Sequence, residues 1–330
     1  MSPRKIIAVL IVSCVALAVG FAGSLTAASA TDFPSRTIRI IVPFGAGGAT
    51  DLMARALAPH MSSNLGGVEI IVENRPGGGG AIAAMEMLLS PPDGYTIMLS
   101  SGNDMLLTPN ISDVGYTIAD YAPIARVSTL PTTIFVRTES EVETLGDLVR
   151  LAEENFGRLS FATTGAGSGH HVVAEAFQLA LGKPGLFTHV PFSSGPESIA
   201  AVLGGHVDFV FGNASYGESY VRSQGVLRGL ATTASVSCPI LPELPSLRSL
   251  GYDVTFYSVW GFTARAGTPA EILNALDEAA RKALESPEIA QIFENIGLIV
   301  DYLGRTEFTI DMLDEYYRMG NLLREIGLAH

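Results

Sequence analysis

Cysteine is nearly absent from this chain of 330 residues: Cys14 falls within the first 30 residues and Cys238 stands alone after them. No intramolecular disulfide can form beyond residue 30, so stability there must come from a core, which a 48% hydrophobic composition supports. Basic residues are scarce, 20 Lys and Arg against 33 Asp and Glu, giving a net charge of −13. That balance argues against a basic nucleic-acid surface. No apolar run after residue 30 approaches a membrane span. Catalytic signatures are missing too. Thr50 and His170 stand where a G-x-G-x-x-G loop needs its third glycine, and Ala166 and His170 flank Ser168 where G-x-S-x-G needs glycines. There is no Walker motif and no Cys/His zinc spacing. A hydrolase built on Ser168 and His171 is disfavoured because the pair are three residues apart at one helix start. The expectation is a protein that is not an enzyme and carries neither metal nor cofactor.

What is present begins with an export segment. Arg4 and Lys5 precede the apolar run Ile6 to Val19, and Ala28-Ser29-Ala30 offers small residues for cleavage. This reads as a signal peptide removed after Ala30. A retained anchor is disfavoured by the short run, and lipidation at Cys14 by that residue's place inside it. Loss of Arg4 and Lys5, with no acid, takes the net charge from −13 to −15. A protein so acidic that binds an acid must use local dipoles, because its overall field repels the ligand.

Two glycine-rich loops supply such dipoles. Pro43-Phe44-Gly45-Ala46-Gly47-Gly48-Ala49-Thr50-Asp51 follows the apolar run 38–42, and Thr163-Thr164-Gly165-Ala166-Gly167-Ser168-Gly169-His170-His171 follows 158–162. Each reads as strand, tight loop, helix start, where unpaired N–H groups and the helix dipole favour an anion. Facing each other, the loops would grip both ends of a small anion. Thr164 and Ser168 add hydroxyls, Thr50 sits in a first turn, and Phe44 is expected to line a cleft. Asp51 fits a structural role better than a contact to a ligand ammonium group. His170 and His171, about 100° apart on a helix, are poorly placed to share a metal. Ser101, Gly102, Ser194, Gly195 and Asn213 lie at strand C-termini, where ligands of α/β folds collect. The run Gly77–Gly80 reads as a plain connection.

Strand-like and helix-like runs alternate along the chain, which predicts an α/β architecture with largely parallel sheets. Expected strands include 124–127 leading to 132–136, and helices are expected from a Thr144 cap and from a capping box at Thr268-Pro269-Ala270-Glu271. The order predicts two lobes: residues 31–127 with 236–330, and residues 128–235.

The chain resembles the periplasmic receptors of tripartite tricarboxylate transporters, the Bug family. The resemblance runs through Phe33-Pro34-Ser35, Ile41-Val42-Pro43-Phe44 with Gly47-Gly48 and Asp51, and Val72-Glu73-Asn74-Arg75-Pro76-Gly77. It continues through Pro92-Asp93-Gly94-Tyr95-Thr96, Gly165 with Gly167-Ser168 and His171, and Val190-Pro191-Phe192. Leu203-Gly204-Gly205 with Val207-Asp208 and Arg265-Ala266-Gly267-Thr268-Pro269 complete it. It implies the two-lobed type II periplasmic-binding-protein fold. It also implies a small carboxylate held in the interlobe cleft by backbone amides, and delivery to membrane permease subunits by a monomeric receptor. Residues 44–51 would face Thr164, Gly165, Gly167 and Ser168. Ser193 to Glu197, Gly212-Asn213 and the acid Asp104 depart from the family's pattern and leave a dicarboxylate, a tricarboxylate or an aromatic acid open. A receptor that reports to a membrane sensor is the alternative.

Overall fold

The computed structural model describes residues 33–329, so the expected export segment lies outside the described residues. Short aliphatic runs make the first strands: β1 (Ile38–Val42), β2 (Ile70–Asn74) and β3 (Thr96–Ser101). They alternate with α1 (Ala49–Asn64) and α2 (Ala81–Leu89), and a turn at 103–107 leads into the single-turn α3 (Thr108–Ile111). β1 lies between β2 and β3 and parallel to both, with Ile40 opposite Val72 and Ile97, an arrangement that needs the helical crossovers seen between them.

The middle of the chain repeats this plan. β4 (Tyr121–Arg137) and α4 (Leu145–Glu154) precede β5 (Ser160–Thr163), α5 (Gly169–Ala180), β6 (Thr188–Pro191), α6 (Gly195–Leu203), β7 (Phe209–Asn213) and β8 (Leu227–Thr232). β5 runs parallel between β6 and β7. Phe161, Phe177, Phe187, Phe209 and Phe211 pack there in edge, stacked and tilted contacts, forming the core beneath this sheet. β9 (Tyr257–Arg265), α7 (Ala270–Leu284), α8 (Pro287–Asn295), β10 (Val300–Leu303) and α9 (Arg305–Glu325) close the chain.

The parallel groups are joined by antiparallel strands, so the sheets are mixed. β4 pairs with β9 from Tyr121 to Pro131, and with β7 and β8 from Thr132 to Arg137. It is one 17-residue strand rather than the two short ones expected. Pro123 sits at a register shift and Pro131 where the ladder changes partner, positions at which a residue without an N–H is tolerated. The returning chain is tied in at the same place. Thr233 Oγ1 accepts from Thr132 N–H at 2.9 Å and donates to the Phe256 carbonyl at 2.6 Å.

Caps explain the helix starts. Thr144 and Asp147 exchange side-chain-to-backbone hydrogen bonds at α4, as expected. The box expected at 268–271 does not form. Thr268 Oγ1 donates back to the Arg265 carbonyl at 2.8 Å, and Pro269, with ψ 140°, is itself the cap, leaving Ala270 as the first helical residue. The strand order brings the ends of β1, β3, β5 and β7 toward one cleft, with β9 across its floor.

Candidate functional site

The first wall of the cleft is the loop between β1 and α1. Gly47 holds φ +81°, a left-handed conformation that favours glycine, and its N–H donates to Asp51 Oδ2 at 2.8 Å. Asp51 is buried and also accepts from Arg55 Nε and Asn74 Nδ2. Burial alone would raise its pKa, but the hydrogen bonds from Arg55, Gly47 and Asn74 hold it below the usual carboxylate range. Asn74 Nδ2 reaches the Phe44 carbonyl as well, at 3.0 Å, so the brace behind the loop also fixes its aromatic entrance. At the start of α1 the amides of Ala49 and Thr50 have no intrahelical acceptor, and this end of the helix is part of the cleft wall.

The second wall is the loop between β5 and α5. Gly167 holds φ +74°, and its N–H donates to His171 Nδ1 at 3.1 Å. Ser168 caps α5: its Oγ accepts the His171 N–H at 3.3 Å and donates to the Gly165 carbonyl at 2.7 Å. The His171 ring stacks on His189 at 4.0 Å, and His189 on Phe161 at 5.0 Å, so the loop rests on a column of rings. Burial lowers the pKa of both histidines, that of His189 to about 4. Among the described residues no three His, Cys, Asp or Glu side chains converge as metal ligands would.

A hydrogen-bonded chain runs from the second wall to the end of β7 and on to β9. His170 is buried, with Nδ1 against Thr164 Oγ1 at 3.1 Å and Nε2 against Asn213 Oδ1 at 3.1 Å. A carbonyl oxygen only accepts, so Nε2 carries the proton and Thr164 donates its hydroxyl to Nδ1. Burial pushes the His170 pKa down to about 4, which keeps this neutral tautomer in place. Ser258 Oγ also donates to Asn213 Oδ1, at 3.3 Å. Both hydrogen bonds fall on the oxygen, and the NH₂ group of Asn213 is left as a donor at the cleft.

The cleft has a volume of about 640 Å³. Residues 44–50, Ser101, Gly102, Thr164, Ser194, Gly195 and Asn213, all expected from the sequence, line it together. Asp51, Gly165, Gly167 and Ser168 are not in its lining: the Asp51 carboxylate, the Gly167 N–H and the Ser168 hydroxyl are spent on the hydrogen bonds above, and the Gly165 N–H donates to Thr163 Oγ1 at 3.3 Å. Ser101 lines the cleft, but its N–H and Oγ both serve the Asp104 carboxylate at 2.7 Å.

Several lining residues were not expected. His170 carried only the metal question, and Ser193, Pro196 and Tyr216 flank expected positions. Residues 256–260, together with Glu315, Arg318 and Met319 of α9, come from distant segments without a local motif. Trp260, the chain's single tryptophan, donates from Nε1 to Thr50 Oγ1 at 3.0 Å and so ties β9 to the first turn of α1.

Because the Ser168 hydroxyl is a cap, Ser168→Ala is expected to cost about 1 kcal/mol of stability, with ligand affinity changing only a few-fold. Thermal unfolding beside a binding titration checks this. A tenfold loss of affinity at unchanged melting temperature would return the hydroxyl to the cleft.

Known proteins resemble the chain over most of its length. The family model of the tripartite tricarboxylate transporter family receptor matches residues 53–328. Protein BugT of Bordetella pertussis is 29% identical, over 96% of this chain and 97% of its own. A TctC solute-binding protein from Polaromonas superposes with a TM-score of 0.76 at 28% identity, covering 89% of this chain and 99% of that one. An R. palustris protein solved with adipate gives a TM-score of 0.79 at 25% identity, covering 90% and 99%. The architecture is the two-lobed fold of periplasmic binding proteins. The chain belongs to the tripartite tricarboxylate transporter receptor family.

Proposed function

We propose that this protein is an exported, monomeric receptor, processed after Ala30, that captures a small carboxylate and delivers it to permease subunits in the membrane. The observation that carries the reading is the pair of helix N-termini, α1 and α5, on opposite walls of one cleft. Each end offers unpaired amides and partial positive charge to a carboxylate. Asn213 adds a side-chain donor between them. The adipate bound by the R. palustris relative supports the same ligand chemistry. The reading describes binding and release, with no catalytic step.

Residues 31–127 with 236–330 form one lobe in this reading and 128–235 the other, with closure over the ligand. The β4 crossing at Pro131 and Thr132, and the return near Thr233 and Phe256, are the positions where such a motion would concentrate. Closure excludes water and strengthens the amide contacts.

The test is a titration of purified protein with mono-, di- and tricarboxylates, followed by Trp260 fluorescence and by thermal unfolding. One acid class is expected to change the emission saturably and to raise the melting temperature with dose, since a ligand bound only by the folded state stabilises it. No response to any carboxylate from folded protein would sink the reading.

A further inference from the structure

The cleft that would hold the carboxylate is walled by rings. Phe44, Tyr216, Phe256, Tyr257 and Trp260 all line it, from three separate stretches of chain. The ring contact made by any of the five is that of Tyr216 with Tyr220, which does not line the cleft. The five rings are therefore not stacked on one another, and Phe256 lies against Gly169 and Tyr216 against Gly195 and Gly212. Leu106 and Met319 extend the apolar surface.

Charge in the lining is balanced. Its acidic and basic side chains are Glu315 and Arg318, and these are paired: Nε to Oε2 at 2.7 Å and Nη2 to Oε1 at 2.9 Å. No lysine lines the cleft. The uncompensated positive character comes from the amide ends of α1 and α5. A third helix, α6, also starts at the cleft, with the Tyr216 hydroxyl over its first residue as the Phe256 ring lies over Gly169 at the start of α5. A Cβ placed on Gly195 would meet that hydroxyl at 1.6 Å. Burial raises the Tyr216 pKa to about 12, so the hydroxyl stays neutral and can donate or accept.

A carboxylate can be satisfied between α1 and α5. Further carboxylates would leave water for ring faces and an already neutralised ion pair, which is unfavourable. A flat apolar body gains from burial against those rings and from stacking. Resting on the carboxylate-receptor reading, we infer that the ligand is a singly charged aromatic carboxylate, its ring among Phe44, Phe256 and Trp260. The Tyr216 hydroxyl is placed to meet a neutral polar ring substituent such as a hydroxyl.

The experiment compares benzoate and 4-hydroxybenzoate with terephthalate, adipate, malate and citrate, reading Trp260 emission and melting temperature. The aromatic monocarboxylates are expected to bind at least tenfold more tightly than the di- and tricarboxylates, and to quench Trp260. Tighter binding of an aliphatic di- or tricarboxylate overturns the ligand class and leaves the receptor reading standing. Binding of terephthalate above both monocarboxylates overturns the single charge. No binding of any of them overturns both readings. Tyr216→Phe keeps the ring and removes the hydroxyl. It is expected to weaken 4-hydroxybenzoate about fivefold, the size of one neutral hydrogen bond, and to leave benzoate unchanged. Equal loss for the two acids overturns the hydroxyl's role.

Discussion

Asn213→Asp is expected to abolish carboxylate binding while leaving the protein folded. The substitution keeps the shape of the side chain and the oxygen that accepts from His170 Nε2 and Ser258 Oγ. What changes is the other terminal atom, from an NH₂ donor at the cleft to a carboxylate oxygen. A bound acid would lose a hydrogen bond and meet a like charge at contact distance. At an effective dielectric near 20, two unit charges about 4 Å apart repel by about 4 kcal/mol, which corresponds to a loss of roughly a thousandfold at 1.4 kcal/mol per tenfold. The stability change should be small, because both protein hydrogen bonds to this residue survive. Titration by Trp260 emission gives the affinity and thermal unfolding gives the stability. An affinity within threefold of the parent, in a protein with unchanged melting temperature, would remove Asn213 from the site.

The variant also tests the relay behind it. His170 stays neutral because burial disfavours its charged form, and its Nε2 proton then orients Asn213. An aspartate at 213 would stabilise the imidazolium and raise the His170 pKa from about 4 toward neutrality. A histidine whose NMR titration moves up in Asn213→Asp is therefore expected. Had the relay no such role, the His170 titration would stay where it is.

The parts of this site that could be read from sequence are those whose chemistry is local. A strand, a glycine loop and a helix start lie within about a dozen consecutive residues, so Phe44 to Thr50, Thr164 and Gly195 were legible from pattern alone. The braces behind them were harder to separate from the wall. Ser168 and Gly167 carry the composition of a binding loop, yet the Ser168 hydroxyl and the Gly167 amide turn inward to Gly165 and His171. Orientation within a loop depends on what stands behind it, here the His171–His189–Phe161 column, two of whose members lie outside the motif. The far wall was illegible for a topological reason. Trp260 enters the cleft because β9 returns from the second sheet to lie between β3 and β4, and Arg318 because α9 packs against the turn at 103–107. Helical or strand periodicity marks a buried face without saying which cavity it borders. The division of β4 into two expected strands has a similar cause, since a ladder that changes partner at Pro131 looks locally like a strand end.

Asp104→Asn is expected to stabilise the protein above pH 7 and to do little below pH 5. Asp104 lies at the turn after β3, fully buried, with Oδ1 taken by Ser101 and Oδ2 without a partner. The hydroxyls of Tyr116 and Tyr121 approach it but donate to its backbone carbonyl. Desolvation therefore dominates the hydrogen bonds from Ser101 and pushes its pKa up to about 7, from 3.8. The folded state then binds more protons than the unfolded state between those two values, so this group makes the protein more stable as pH falls from about 7 toward 4. His170 has the opposite sign. Its folded pKa of about 4 lies below the ordinary histidine value of 6.5, so its contribution is full above 6.5 and is lost as pH falls toward 4. Each effect reaches a few kcal/mol at about 1.4 kcal/mol per pH unit, and over pH 4 to 7 they oppose each other. His189, whose pKa burial likewise lowers to about 4, adds to the His170 side, so the parent should lose stability as pH falls across that window, with Asp104 making the loss less steep. Removing the acid leaves the histidine term exposed: Asp104→Asn should melt several degrees higher than the parent at pH 8, match it near pH 4.5, and lose stability steeply in between. The new amide gives back part of the gain, since its NH₂ takes the unpartnered position of Oδ2. Melting curves of both proteins from pH 4.5 to 8 decide the matter, and parallel profiles would show that Asp104 does not titrate in this range.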